Sequence, residues 1–109
     1  MAPSAAVFRW DELDLEKITE LIARKTIVGA QATMTQTFLK RGALVPRHAH
    51  AAEQLVYVLQ GALKARVDAE TVVVREGDVW QVPAGAPHQI EALDDTFVLD
   101  IRTTEGSWR

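Results

Sequence analysis

The strongest constraint on this chain is its punctuation. Short β-prone runs recur at brief, regular intervals over residues 24–28, 32–39, 54–60, 62–68, 71–75, 79–82, 88–92 and 96–102. Turn residues close them: Gly29, Gly61, Ala69 with Glu70, Glu76-Gly77-Asp78, the loop from Pro83 to Pro87, and Leu93-Asp94-Asp95. In the second run Thr33, Thr35 and Thr37 alternate with Met34, Gln36 and Phe38, the period of two that an extended strand imposes. A parallel sheet needs a helix-length crossover between strands, and these connections are too short for one. The pattern therefore excludes a parallel α/β architecture and predicts an all-β sandwich or barrel. Only residues 11–24 break the texture. There Leu15, Ile18, Leu21 and Ile22 recur near helical spacing, which allows one short helix or helical turn.

At 109 residues and 48% apolar content, one core can close without staples, and a single domain over residues 1–109 is expected, with a core barrel at about 22–102. No apolar run approaches the ~18 residues of a membrane helix, so no membrane partner is expected. Twelve Lys and Arg against fifteen Asp and Glu give a net charge of −3. The positive charges are scattered, so the basic face that phosphate neutralisation needs is missing, and nucleic acid is set aside as a partner. Without cysteine, any metal must be held by nitrogen and oxygen. Residues 1–7 lack the charged and then apolar pattern of a secretory signal, so a cytoplasmic location is expected.

The three histidines carry the chemistry. His48 and His50 are separated by one residue, and on an extended strand their rings face the same way, which makes half of a metal site. The spacing around them reads Gly42, five residues, His48, one residue, His50, three residues, Gln54, six residues, Gly61. Downstream comes Gly77, five residues, Pro83, one residue, Gly85, two residues, His88. Glycines at the reversals accept positive φ, and Pro83 and Pro87 stiffen the loop that delivers His88.

These two stretches resemble the two motifs of the cupin superfamily, G(X)5HXH(X)3,4E(X)6G and G(X)5PXG(X)2H(X)3N. Every spacing agrees, while Gln54 stands at the glutamate and Ala92 at the asparagine. The resemblance implies a jelly-roll β-barrel in which His48, His50, Gln54 and His88 hold one divalent transition metal: Zn, Ni, Mn, Fe or Co. Strand parity puts Gln54 with Val56 and Val58 on one face, and Glu53 with Leu55 and Tyr57 on the other. Glu53 replaces Gln54 as ligand only if the strand bulges. The run from His48 through Gly61, with Leu93 to Asp100 and Trp108, is similar to small single-domain bacterial cupins of the pectin-degradation type, which implies linearisation of cyclic unsaturated uronates and a homodimer. The β segment over 22–39 is the candidate for an exchanged or augmented edge. Those relatives carry an aromatic two residues after the aspartate, then a proline and an arginine. This chain has Arg102, then Thr104, Glu105 and Gly106.

Three neutral imidazoles and a neutral amide leave the full double charge on an ion, which favours a small anionic substrate such as a carboxylate, an enolate or a sugar acid. That points to isomerase or lyase chemistry. A non-haem metal dioxygenase and a non-catalytic binding module of the same fold are the alternatives. Asp100 lies in the apolar strand 97–101. Pointing inward, it is the candidate catalytic acid/base; otherwise it is a rim residue paired with Arg102 or Arg66. Arg24, Arg66, Arg75 and Arg102 are read as solvated strand faces, of which one can clamp a carboxylate. Trp80, Phe38, Met34 and Tyr57 are read as core or subunit-interface packing.

Overall fold

A computed structural model describes residues 4–103. The tail positions Thr104, Glu105, Gly106 and Trp108 lie outside the described residues. Ten strands form two antiparallel sheets that face one another: β1 (Glu16–Lys17), β2 (Ile22–Val28), β3 (Ala32–Leu39), β4 (Leu44–His48), β5 (Gln54–Gln60), β6 (Ala62–Val67), β7 (Glu70–Arg75), β8 (Val79–Val82), β9 (His88–Ala92) and β10 (Thr96–Thr103). The larger sheet runs β1-β2-β3-β10-β5-β8 and the smaller runs β4-β9-β6-β7. From β3 to β6 and from β7 to β10 each consecutive strand crosses to the other sheet, as in a jelly roll, while β1 to β3 and β6 to β7 stay within one sheet. No described helix is long and apolar enough to cross a membrane.

The helical reading of residues 11–24 is corrected. One turn of 3₁₀ helix covers only Trp10–Glu12, and the chain then extends into β1 and β2. Leu15, Ile18 and Leu21 remain 57%, 42% and 39% exposed, and only Ile22 is buried. With no neighbour to bury the amphipathic stripe, the sheet-edge hydrogen bonds win over helical periodicity.

The core between the sheets is built from alternate residues. Val56 and Val58 on β5, Val98 on β10, Leu39 on β3, Leu63 and Ala65 on β6, and Ile90 and Ala92 on β9 close it. Gly61 makes the tight β5 to β6 reversal possible at φ +90. A Cβ there would sit 2.5 Å from the Asp95 carbonyl oxygen and 2.6 Å from Thr96 Oγ1, so conformation and close approach both demand glycine.

Strand parity on β3 is as expected, but the polar side faces inward. Thr33, Thr35 and Thr37 line a cavity between the sheets. Phe38 and Met34 lie on the outer face, as does Tyr57, and all three are exposed rather than core. Phe38 stacks on Phe97 of β10 there, with ring centroids 4.6 Å apart and planes 12° off parallel. Trp80 alone of the four aromatic and Met positions packs against the core.

Candidate metal centre

β10 is an interior strand of the larger sheet, paired with β3 along one side and β5 along the other. It places Asp100 across from Thr35 and Val56, and Arg102 across from Thr33 and Gln54. On the smaller sheet, His48 ends β4 and pairs with His88, the first residue of β9. His50 lies just beyond β4 rather than on it, so the two rings of the first motif are set by a strand end and the loop after it. That loop is tied down: Gly85 N–H, in the proline-bracketed loop, donates to the His50 carbonyl at 2.8 Å.

The three rings converge. Centroids lie 4.3 Å apart for His48 and His88, 4.9 Å for His50 and His88, and 5.7 Å for His48 and His50. One ring nitrogen from each lies within 4.8 Å of the others. Every Nδ1 contacts a backbone carbonyl two residues away: His48 to Pro46 at 2.9 Å, His50 to Ala52 at 2.8 Å, His88 to Ala86 at 2.9 Å. A carbonyl only accepts, so each Nδ1 carries the proton and each neutral ring presents a bare Nε2 lone pair. Holding the tautomer through Nδ1 is how proteins orient imidazole ligands toward a metal.

Two further observations test whether a cation fits. His88 is 1% exposed, and its Nε2 is buried with no partner. A buried lone pair left unmet costs about 1–3 kcal/mol, so His88 Nε2 calls for a partner, and a cation can be one. In addition, Gln54 donates through Nε2 to Asp100 Oδ2, which turns its Oε1 toward His50 Nε2 at 3.0 Å. With the proton on Nδ1 of His50, these are two acceptors facing one another. A cation, or a donor bridging the two, relieves that repulsion. The donor set, three imidazoles and an amide oxygen, suits a borderline divalent ion.

Burial pushes the His88 pKa below its ordinary 6.5, with the neighbouring His48, His50 and Arg102 adding in the same sense and the Ala86 carbonyl opposing. The ring is neutral and ready to ligate at neutral pH. Burial also pushes Asp100 above its ordinary 3.8, offset in part by the Gln54 hydrogen bond and by Arg102. Asp100 Oδ1 is buried without a partner. Asp100 thus points inward, and its hydrogen-bond partner is Gln54 rather than Arg102 or Arg66. Gln54 is 4% exposed, while Glu53 turns outward and accepts from Gln81, so β5 does not bulge to exchange them.

A cavity of about 550 Å³ opens on this cluster, with His48, Gln54, His88 and Asp100 in its wall. That volume is within the range of small-molecule sites, ~300–1,000 Å³. Sequence reasoning grouped Arg102 with three other arginines. Its separation from Asp100 by two positions on one strand was the available signal that it shares the cavity. The hydroxyl wall of Thr33, Thr35 and Thr37 was missed because an alternating strand does not announce which face is inside.

Comparison with known proteins agrees with this geometry. KdgF from Halomonas sp. superposes with a TM-score of 0.83 at 28% identity, covering 90% of this chain and 94% of that one. An RmlC-like cupin from Shewanella frigidimarina NCIMB 400 shares the fold, with a TM-score of 0.86 at 21% identity and 95% of each chain covered. Oxalate decarboxylase OxdC from Bacillus subtilis (strain 168) is 28% identical over 94 residues, 82% of this chain. The chain spans about a quarter of that protein's length, 24%. The family model described as cupin domain matches residues 34–101, well over half of the chain and including His48, His50, Gln54, His88 and Asp100. The chain belongs to the cupin family.

Proposed function

We propose that this protein is a metal-dependent enzyme of the isomerase or lyase type, acting on a small anionic substrate such as a carboxylate, an enol or a sugar acid. One observation carries the reading: three bare Nε2 atoms and the Gln54 amide oxygen gather beside a buried, partly unpartnered carboxylate, at the wall of a cavity of small-molecule size. His48, His50, His88 and Gln54 would hold one divalent ion. When bound, it supplies a Lewis acid of undiminished double charge that polarises a substrate oxygen.

The chain's own residues supply the rest. The Nδ1 hydrogen bonds keep the imidazoles in one tautomer, so the ligating lone pairs are in place before an ion binds. Asp100 takes or gives the proton at the carbon next to the polarised group through Oδ1, while Gln54 holds Oδ2 in place. Its raised pKa brings both protonation states closer to neutral pH, as a proton shuttle requires.

The resemblance to small pectin-degradation cupins makes a cyclic unsaturated uronate the first substrate to try, and the oxalate decarboxylase relative supports carbon–carbon lyase chemistry as the second. The reading includes one cupin domain with its barrel at about 22–102, a cytoplasmic location and a homodimer. Incubation of the metal-loaded protein in D2O with such acids, followed by proton NMR, tests the reaction class. Deuterium entry or conversion that persists without air and disappears in Asp100→Asn supports it. Turnover that requires O2 overturns it in favour of a dioxygenase.

A further inference from the structure

Among the described residues Arg102 makes no salt bridge; the two that form are Lys17 with Glu20 and Arg24 with Glu16. Arg102 is half-buried and lines the cavity that holds the histidines. Asp100 Oδ1, two residues away on the same face, stays buried and unpartnered, so the obvious intramolecular partner has not captured the guanidinium. Arg24 lines the same cavity, but its Nε and Nη2 donate to both carboxylate oxygens of Glu16 at 3.3 and 3.4 Å. Of the two cavity arginines, Arg102 is the one whose fork is unspent.

Its surroundings are specific. Arg102 pairs across the sheet with Gln54 on one side and Thr33 on the other, and Thr35 pairs with Asp100. Cross-strand pairs on one face lie about 4.5–5.5 Å apart at Cβ, so a group seated on Arg102 lies one neighbour from the Gln54 amide and one from a threonine hydroxyl. The hydroxyls continue onto β2, since Thr35 Oγ1 lies 3.4 Å from Thr26 Oγ1. The opposite wall, with Val45, Leu63 and Ile90, is apolar. The cavity holds roughly eighteen water-sized groups at ~30 Å³ each.

We propose that Arg102 anchors a substrate carboxylate and that the adjoining threonines read hydroxyl groups, so that the site selects a hydroxylated carboxylate over a plain carboxylate or a plain polyol. The inference deepens the function proposed above and rests on it only for the reacting end of the substrate. Planar guanidinium is suited to a carboxylate because two parallel N–H donors meet two oxygens. A site that hydrogen-bonds a hydroxyl also rejects the analogue lacking it, since its own polar atoms are then left unmet.

Calorimetric binding of three stable probes to the full chain, with and without cobalt(II), tests this. D-Gluconate carries both groups, butyrate only the carboxylate, and D-glucitol only hydroxyls. Gluconate is expected to bind at least tenfold tighter than either. Arg102→Met brings gluconate down to the level of glucitol, and Thr35→Val brings it toward butyrate. Arg102→Lys, which keeps the charge and loses the fork, gives a loss of threefold or more, and it carries the test if the methionine variant does not melt cooperatively. Gluconate binding indifferent to both Arg102 variants, or equal to butyrate binding in the unmodified protein, overturns the inference. The visible spectrum of cobalt in the same samples reports the metal centre separately. Absent cobalt uptake defeats the metal reading, whereas the preference of the metal-free protein for gluconate over glucitol still reports on Arg102.

Discussion

Replacing Gln54 with leucine isolates the polar link between the histidine cluster and Asp100. In the protein Gln54 is 4% exposed and donates to Asp100 Oδ2, while Oδ1 finds no partner among the described residues. Leucine keeps the bulk and removes the one hydrogen bond the carboxylate makes among the described residues. A hydrogen bond to a charged group contributes about 1.5–3 kcal/mol, so at pH 7.5 the metal-free variant should lose roughly 2–3 kcal/mol. At about 4–8 °C per kcal/mol for a domain of this size, Tm falls by roughly 10–20 °C. The loss must depend on pH. Burial already holds Asp100 above 3.8 with Gln54 pulling the other way, so removing Gln54 raises it further. Above that pKa the folded state carries an unmet charge; as pH falls through it the carboxyl protonates and the penalty fades. The deficit against the unmodified protein is therefore larger at pH 7.5 than at pH 4.5. Adding Asp100→Asn should rescue part of it, because no charge is then buried, giving a coupling energy of about 1.5–3 kcal/mol. Thermal melts of the four proteins at the two pH values provide the data. An equal deficit at both pH values, or additive single effects, would refute the assignment of Asp100 as a charge held by Gln54.

Two other expectations follow from the same geometry. Gly61→Ala forces a Cβ to within 2.5 Å of the Asp95 carbonyl oxygen at φ +90 and should cost more than the ~1–3 kcal/mol of backbone strain alone, read from urea melts. His88, whose folded pKa is pushed below 6.5, makes the metal-free protein less stable as pH drops: the unfolded chain takes up the proton first, so Tm declines from pH 6.5 downward and is flat above it as far as this group is concerned. Melts across pH 5–8 check the sign, and His88→Gln should flatten that limb.

Strand positions and the histidine spacing were readable because they depend on local rules. The turn glycines at 61 and 77 take positive φ in the structure, and the β-rich runs between them and the fixed gaps from Gly42 to Gly61 and from Gly77 to His88 can be counted directly in the chain. That Gln54 and Glu53 face opposite ways followed from parity, and the resemblance, not parity, put Gln54 on the inner face. What parity leaves open is the sign of the face. Met34 and Phe38 were read as core or subunit-interface packing and the alternating threonines were assigned no face, yet the threonines line the cavity inside and Phe38 stacks outside. The stretch from Leu15 to Ile22 misled for a related reason: helical spacing stabilises a helix only when a partner covers its stripe, and here Leu15, Ile18 and Leu21 stay exposed. His50 was placed on a strand, whereas it occupies the loop after β4, where a hydrogen bond from Gly85, a residue distant in sequence, fixes its backbone. The separate fates of Arg24 and Arg102 were also invisible, since only the fold brings Glu16 to one and leaves the other free.

X-ray absorption at the zinc edge of the metal-loaded protein bears most directly on the convergence of His48, His50 and His88. One zinc per chain with three imidazoles at ~2.0–2.1 Å, falling to two in His48→Ala, is the expected spectrum. A spectrum fitted by fewer than three imidazoles in the unmodified protein, or one that does not change in His48→Ala, would contradict it.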